Sequence, residues 1–310
     1  MKKLLGILLV CLLIPIAAAA EGRVFLASET EPFEDGTELL TLRVAGTFGG
    51  DSMLLSYGNE TMMIDAGTEN YLPYIAQMLE DAGAGHHVDV LFNTHPHRDH
   101  INGLFVMLEN GYTVGSIRTA FPHDYEDGEP SVVQKKLIRT AEEYGIPVED
   151  VKNGDVFDFG PATITVLQVE NDQVTRSMNT NDRSAMLLIR MGECSALLTG
   201  DCETPAQVVL TRQYDLKVDI MKEPHHGISP MYRSFLENAD PEFLFFTNGS
   251  SGTREARTQL QKKGYTRHLF ATWGEITMQT DGKKWIVSQE FHDDIREHAE
   301  KYMRTITRNP

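Results

Sequence analysis

The chain has 310 residues, 41% of them hydrophobic and 24% charged, enough apolar material for one large α/β core. Its formal net charge of -17 at pH 7 weighs against a non-specific nucleic-acid binder, which would display a basic stripe, and disfavours long nucleic acid as a partner without excluding it. Phosphoester chemistry stays open, because bound divalent cations dominate the local field of a metal site.

From the N-terminus, Lys2 and Lys3 precede an apolar run over 4–16 and a small-residue tract over 17–20, the order of an export signal. Ala18 and Ala20 form an A-x-A site, so a signal peptide over 1–20 is expected to leave one domain over 21–310. That domain would be secreted, periplasmic or at the cell surface. A lipid anchor on Cys11 is the lesser alternative, since Val10 is bulky where lipoprotein processing favours a small residue. No later stretch approaches the roughly 20 apolar residues of a membrane helix, so no transmembrane segment is expected in the mature chain.

Residues 39–44, 53–57 and 61–64 are short apolar or alternating runs bounded by Gly, Asp and Asn, the pattern of a strand meander. The spacing then turns helical, with Leu72, Ile75, Met78 and Leu79 on one face and Gly83 as the stop. A continuous apolar strand over 88–92 leads into Thr94-His95-Pro96-His97-Arg98-Asp99-His100. Residues 103–108 read as a helix and 114–118 as a strand. Ser131 reads as the cap of a helix that carries Val133, Leu137, Ala141 and Tyr144 and ends at Gly145. Strands follow at 156–159, 162–167, 185–189 and 195–198, then a helix with Thr204 as cap and Pro205 in its first turn. Further strands are expected at 218–221, 243–246 and 275–279, and a packing helix over 291–308. Cys194 and Cys202 flank an extended run that holds them too far apart to bridge, so both are expected as free thiols.

His95 and His97 are one residue apart, a spacing that cannot share a helical face but suits a loop leaving a strand. With Asp99 and His100 they put four metal-ligand residue types in six positions, more than packing or solubility requires. A second group is Thr199-Gly200-Asp201 at one strand end and His225-His226-Gly227 after another. The two oxygens of Asp201 could bind two cations at once, roughly 3.5 to 4 Å apart.

Together with Ile64-Asp65-Ala66-Gly67 and Ile101-Asn102-Gly103, these pieces resemble the metallo-β-lactamase superfamily over about residues 39–282. The resemblance implies an α/β fold, an αββα sandwich of two mixed sheets with helices outside and metals at one edge. It implies His95 and His97 on a first metal, Asp99 and His100 on a second, and Asp201 bridging. One of His225 and His226 would complete the second site. By similarity to the choline-phosphate esterases of the superfamily, His226 is the ligand and His225 faces substrate. Asp65 would brace the histidine loop.

Typical lactamases and glyoxalases place a further histidine shortly before the bridging aspartate, where this chain reads Asn181-Asp182-Arg183-Ser184. That departure is similar to the hydrolase domain of the DNA-uptake competence proteins, and it brings Asn181 and Ser184 into the candidate site. It points away from lactam and thioester substrates, toward hydrolysis of a small or cell-wall-linked phosphoester by metal-activated hydroxide. Asp99 would orient that nucleophile, and His225 would help stabilise charge on the phosphoryl oxygens. Two divalent metals are expected, zinc ahead of manganese. Lys222 reads either as a positive charge directed to a phosphate or as a solvated strand end. His123 reads either as a residue of the substrate mouth or as a surface histidine. The alternatives are an iron-dependent oxidoreductase on the same fold and a non-catalytic metal-containing binding protein.

Overall fold

The computed structural model describes residues 23–249, 253–265 and 267–306. The expected export signal, Cys11 and the last two residues of the expected 291–308 helix lie outside the described residues.

A first sheet contains β1 (Arg23–Leu26), β2 (Leu40–Val44), β3 (Ser52–Tyr57), β4 (Glu60–Ala66), β5 (His87–Asn93), β6 (Thr113–Thr119) and β7 (Val148–Asp150). A second contains β8 (Val156–Phe159), β9 (Ala162–Leu167), β10 (Met186–Met191), β11 (Cys194–Leu198), β12 (Ile220–Lys222), β13 (Phe243–Phe246) and β14 (His268–Phe270). The chain then returns to the first sheet as β15 (Ile276–Thr280) and β16 (Lys284–Gln289). The strand orders are β1-β16-β15-β2-β3-β4-β5-β6-β7 and β14-β13-β12-β11-β10-β9-β8. Each sheet is antiparallel in one part and parallel in another: β4 to β7 run parallel in the first, β11 to β14 in the second.

Alternation within the strands explains the layering. In β3, Met53 and Leu55 face the core between the sheets, while Leu54 packs beneath the helices on the outer side. In β4, Met62 and Ile64 face inward and Met63 outward, so a run that is apolar throughout is a strand covered on both faces. The outer face of the first sheet is covered by α1 (Leu72–Asp81), α2 (Arg98–Glu109) and α3 (Gly128–Tyr144). That of the second carries α4 (Thr204–Gln213), α5 (Arg233–Ala239) and α6 (Arg254–Lys263), with Ala299 of α7 (Arg296–Ile306) in the same cluster. The architecture is the expected αββα sandwich of two mixed sheets. Among the described residues no helix is long and apolar enough to cross a membrane.

Several boundaries differ from expectation. α2 begins at Arg98, five residues before the apolar helical spacing, because His97 is extended and the helix starts at once behind it. Asp99 and His100 therefore lie in a first helical turn, not in a loop. Ser131 is inside α3, where its hydroxyl donates back to the Gly128 carbonyl, and the helix starts at Gly128. Gly145 does stop α3, with φ 67°. Glu203, not Thr204, precedes α4. The short strands β1, β7 and β14 and the helices α5 and α6 were not read from the pattern; the strands owe their form to a neighbouring strand more than to their own alternation. Cys194 and Cys202 are buried free thiols, and burial pushes both up, which keeps them protonated.

Gly103 sets how closely α2 approaches the end of β4. A Cβ at that position would come 1.9 Å from the Ala66 carbonyl oxygen, and the Gly103 amide donates to Gly67 at 2.9 Å. This crossing brings the first turn of α2 beside Asp65. Gly103→Ala is expected to destabilise the protein by about 2 kcal/mol or more. The measurement is the urea midpoint, which should fall with an unchanged slope.

Candidate metal centre

The functional side chains gather at the carboxyl ends of the parallel strands of both sheets, where open α/β sheets leave their crevice. Asp65 ends β4, and Asn93-Thr94-His95 leave β5. Asp201 follows β11, His225 and His226 follow β12, and Thr247 follows β13. The two edges are joined where the Ala185 amide donates to the Thr94 carbonyl at 3.0 Å. Asp65, His225 and His226 have φ of 55°, 48° and 56°, left-handed values that non-glycine residues rarely adopt. Such backbone costs about 1–3 kcal/mol per residue and persists where surrounding packing enforces it.

One oxygen, Asp201 Oδ2, is common to two groups of ligand atoms. On one side are His95 and His97: His95 Nε2 lies 3.7 Å from it and 3.0 Å from His97 Nδ1. On the other side His100 Nε2 lies 3.2 Å and His226 Nε2 3.3 Å from the same oxygen, and Asp99 Oδ2 lies 3.2 Å from His226 Nε2. Ligands about 2.0–2.2 Å from one tetrahedral cation are a little over 3 Å apart, so these spacings fit shared coordination. His100 Nε2 and His226 Nε2 are buried and make no well-directed hydrogen bond, their nearest acceptor being the Asp201 oxygen that they share, an arrangement that suits nitrogens aimed at one cation. Asp201 thus presents one oxygen, not one to each side, to both clusters.

The outward nitrogens are held by carboxylates. Asp65 Oδ2 lies 2.7 Å from His100 Nδ1 and accepts from the Thr94 hydroxyl at 2.6 Å, while its other oxygen accepts from the Thr94 amide at 2.8 Å. Asp51 does the same for His226: its Oδ1 lies 3.0 Å from His226 Nδ1 and accepts from the Thr247 hydroxyl at 2.7 Å. A ring whose Nδ1 proton is held by a carboxylate offers its Nε2 lone pair inward. Asp51 was not singled out in the sequence. The available signal was Gly49-Gly50-Asp51, a second Gly-Asp turn at a strand junction like Gly200-Asp201. A Cβ on Gly50 would meet the Asp99 carbonyl oxygen at 2.5 Å, and the Asp51 amide donates to that oxygen at 3.1 Å.

Burial opposes every charge here; opposite charges override it at His100, His226, Asp201 and Asp99, whereas burial prevails at His95 and His97 and raises the Asp65 carboxyl. Against burial, Asp201, Asp65 and Asp99 hold His100 well above the usual histidine range. Asp201 and Asp51 likewise push His226 up to about 10. Burial would raise Asp201 and Asp99, yet His100 and His226 hold both below the usual carboxylate range. His95 and His97 shift the other way, lowered by burial and then by the charge of His100. In the protein alone, the His95 and His97 side is neutral and the His100 and His226 side carries protons where a cation could sit.

At the mouth, His225 Nδ1 lies 2.9 Å from Glu203 Oε1, and the Asn181 amide donates to the same oxygen at 3.0 Å while standing 3.4 Å from His225 Nε2. His225 Nε2 is 3.8 Å from Asp201 Oδ2. Glu203, missed in the sequence, orients His225. The pairing with His225 holds its carboxyl below the usual range. The Ser184 hydroxyl accepts from the Asp201 amide at 3.3 Å. Lys222 departs from both of its expectations: it is fully buried, neither a solvated strand end nor a group at the open mouth, and it pairs with Asp51 at 2.9 Å. His123 is half-exposed and pairs with Asp150 at 3.0 Å, beside a groove of about 260 Å³ lined by Phe121, Lys152, Gln168 and Arg183 among others.

With this geometry in hand, comparison with known proteins identifies the family. The model of the metallo-beta-lactamase superfamily matches residues 45–247, more than half of the chain, so the chain belongs to that superfamily. ComE operon protein 3 of Bacillus subtilis (strain 168) is 28% identical over 166 residues, 53% of this chain and 20% of that protein. The chain therefore matches about a fifth of the length of that relative. Among solved structures, YhfI of Bacillus subtilis, a metallo-beta-lactamase fold protein, matches with 14% identity and a TM-score of 0.50, covering 75% of this chain and 96% of that one.

The protonation pattern predicts how metal is taken up. His100 and His226 are protonated at pH 7 because both are raised above it, and each must lose its proton to expose Nε2; His95 and His97 are already neutral. Metal uptake at pH 7 is expected to release about two protons. Affinity on the His100 and His226 side should rise with pH until both rings have lost their protons, His226 doing so near 10. Calorimetry in buffers of different ionisation enthalpy counts the protons, and a count near zero contradicts the assignment.

Proposed function

We propose that this protein is a two-metal hydrolase acting on phosphoesters. The observation that carries the reading is the convergence of both histidine groups on Asp201 Oδ2. In this reading His95, His97 and Asp201 hold one cation, and Asp99, His100, His226 and Asp201 the other. Asp51 and Asp65 are the carboxylates that orient His226 and His100. The imidazole and carboxylate donor set favours zinc ahead of manganese. When bound, two divalent cations supply Lewis acidity and a water of lowered pKa, the chemistry of in-line phosphoryl hydrolysis.

The chain's own groups then divide the remaining work. Asp99, half-exposed beside His226, accepts a hydrogen bond from the attacking water and fixes its direction. His225, held at Nδ1 by Glu203, turns Nε2 to the mouth, and its imidazolium form, with a proton on each nitrogen, donates from Nε2 to a phosphoryl or leaving-group oxygen and leaves as the neutral ring. Asn181 stands where lactamases carry a histidine, and its amide is turned to Glu203 and His225. That supports phosphoester over lactam chemistry. The acidic net charge of -17 favours small or wall-linked phosphoesters over long nucleic acid. Residues 1–20 support a place of action outside the cytoplasm.

The test is hydrolysis of bis-p-nitrophenyl phosphate in zinc and in manganese. Asp201→Ala and Asp99→Ala are expected to lower kcat/KM by about a thousandfold or more. Loss of bound metal should accompany Asp201→Ala. Tight metal binding with no turnover of phosphoester, lactam or thioester would defeat the hydrolase reading. A second measurement concerns the mouth: His225→Ala should lower kcat about a hundredfold on an alkyl phosphodiester, and much less on a p-nitrophenyl ester, whose leaving group departs without a proton. Equal losses on both would remove the proton-donating role.

A further inference from the structure

Lys222 ends β12 wholly buried, a position where an ammonium loses hydration and must be compensated. Its Nζ donates to the carbonyl of Gly200 at 2.9 Å and of Glu223 at 3.3 Å, and pairs with Asp51 Oδ2 at 2.9 Å. Glu223 does not neutralise it: burial pushes that carboxyl up to about 8, so Asp51 is the counter-ion. The same ammonium stands 3.9 Å from Asp201 Oδ1. That oxygen is buried and has no hydrogen-bond partner, whereas Oδ2 is the atom on which His95, His100 and His226 converge. The two oxygens of Asp201 therefore face unlike surroundings, an internal cation on one side and ligand nitrogens on the other.

We propose that Lys222 is a positioning residue, an internal ammonium that reserves Asp201 Oδ1 for itself so that both cations share Oδ2. This rests on the two-metal reading above. A carboxylate free to turn can chelate one cation through both oxygens, which leaves the other cation a ligand short. An ammonium 3.9 Å from one oxygen, its own three donors taken by Asp51, Gly200 and Glu223, disfavours that option through its field, although its charge also repels the metals. The two effects have opposite signs. Simple repulsion predicts that removing Lys222 tightens metal binding; positioning predicts that the second equivalent binds more weakly.

Lys222→Met alone would strand Asp51 as a buried anion, so the informative variant is Asp51→Asn combined with Lys222→Met. Its amide oxygen still accepts from Thr247 and His226. Zinc is titrated against a chromophoric chelator, with circular dichroism reporting the fold. The reference is Asp51→Asn alone, which carries the loss of the His226 partner: relative to it, the double variant should bind the first equivalent within about threefold and the second about tenfold or more weakly. A folded double variant that binds the second equivalent as tightly as Asp51→Asn alone, or more tightly, overturns the proposal. A wild-type crystal grown with zinc tests it without any substitution: both ions on Oδ2, with Lys222 Nζ still the cation that faces Oδ1, supports it. One Asp201 oxygen on each ion overturns it. Wild type that binds no zinc, or binds it unchanged after Asp201→Ala, removes the two-metal reading itself, a distinguishable failure.

Discussion

The carboxylate of Asp201 sits almost completely buried between two histidine groups, and the arrangement of the surrounding edge depends on how its charge is compensated. In a low-dielectric site an unpaired anion is far more costly than at the surface, so cationic partners must be supplied by the fold. His100 and His226 supply them in the protein alone, with Lys222 on the far oxygen. The same geometry that stabilises imidazolium beside a carboxylate also places ligand atoms around a common point. Charge compensation and metal affinity are therefore two aspects of one arrangement.

Holding that arrangement is the task of a second layer of groups. Asp65 and Asp51 each take the outward nitrogen of one histidine, and Glu203 takes that of His225. None of the three is itself directed at Asp201 Oδ2, yet each decides which nitrogen of its histidine faces inward. The positive φ at Asp65, His225 and His226 belongs to the same design: strained backbone turns side chains toward the crevice and is retained because packed strands fix both ends. The sandwich thus provides rigidity at an edge where loops alone would not hold several charges in register.

Much of this was readable from local pattern. Strand runs such as 53–57 and 61–64, the helix built on Ile75, Met78 and Leu79, and the stop at Gly145 follow from periodicity and backbone preference within a few residues. The density of His95, His97, Asp99 and His100 was legible for the same reason, since all four lie in one short segment. Short elements such as β7 and β14 were not, because pairing with a neighbour, not their own alternation, makes them strands. The start of α2 was missed because ligand residues, not apolar ones, occupy its first turn.

By itself the sequence determined the family, the two-sheet architecture and the residue types of a metal centre, because these are written in local spacing and in motifs whose order is preserved along the chain. Only the tertiary structure decided which atoms meet. Asp51 and His226 are 175 residues apart, and Asp65 and His100 are 35 apart. No local pattern encodes which carboxylate will hold which Nδ1. Lys222 shows the difference most plainly: in the sequence it stands beside a histidine motif as a charge that could face solvent or substrate. Parallel pairing of β12 between β11 and β13 buries it and turns its ammonium onto Asp51 and toward Asp201.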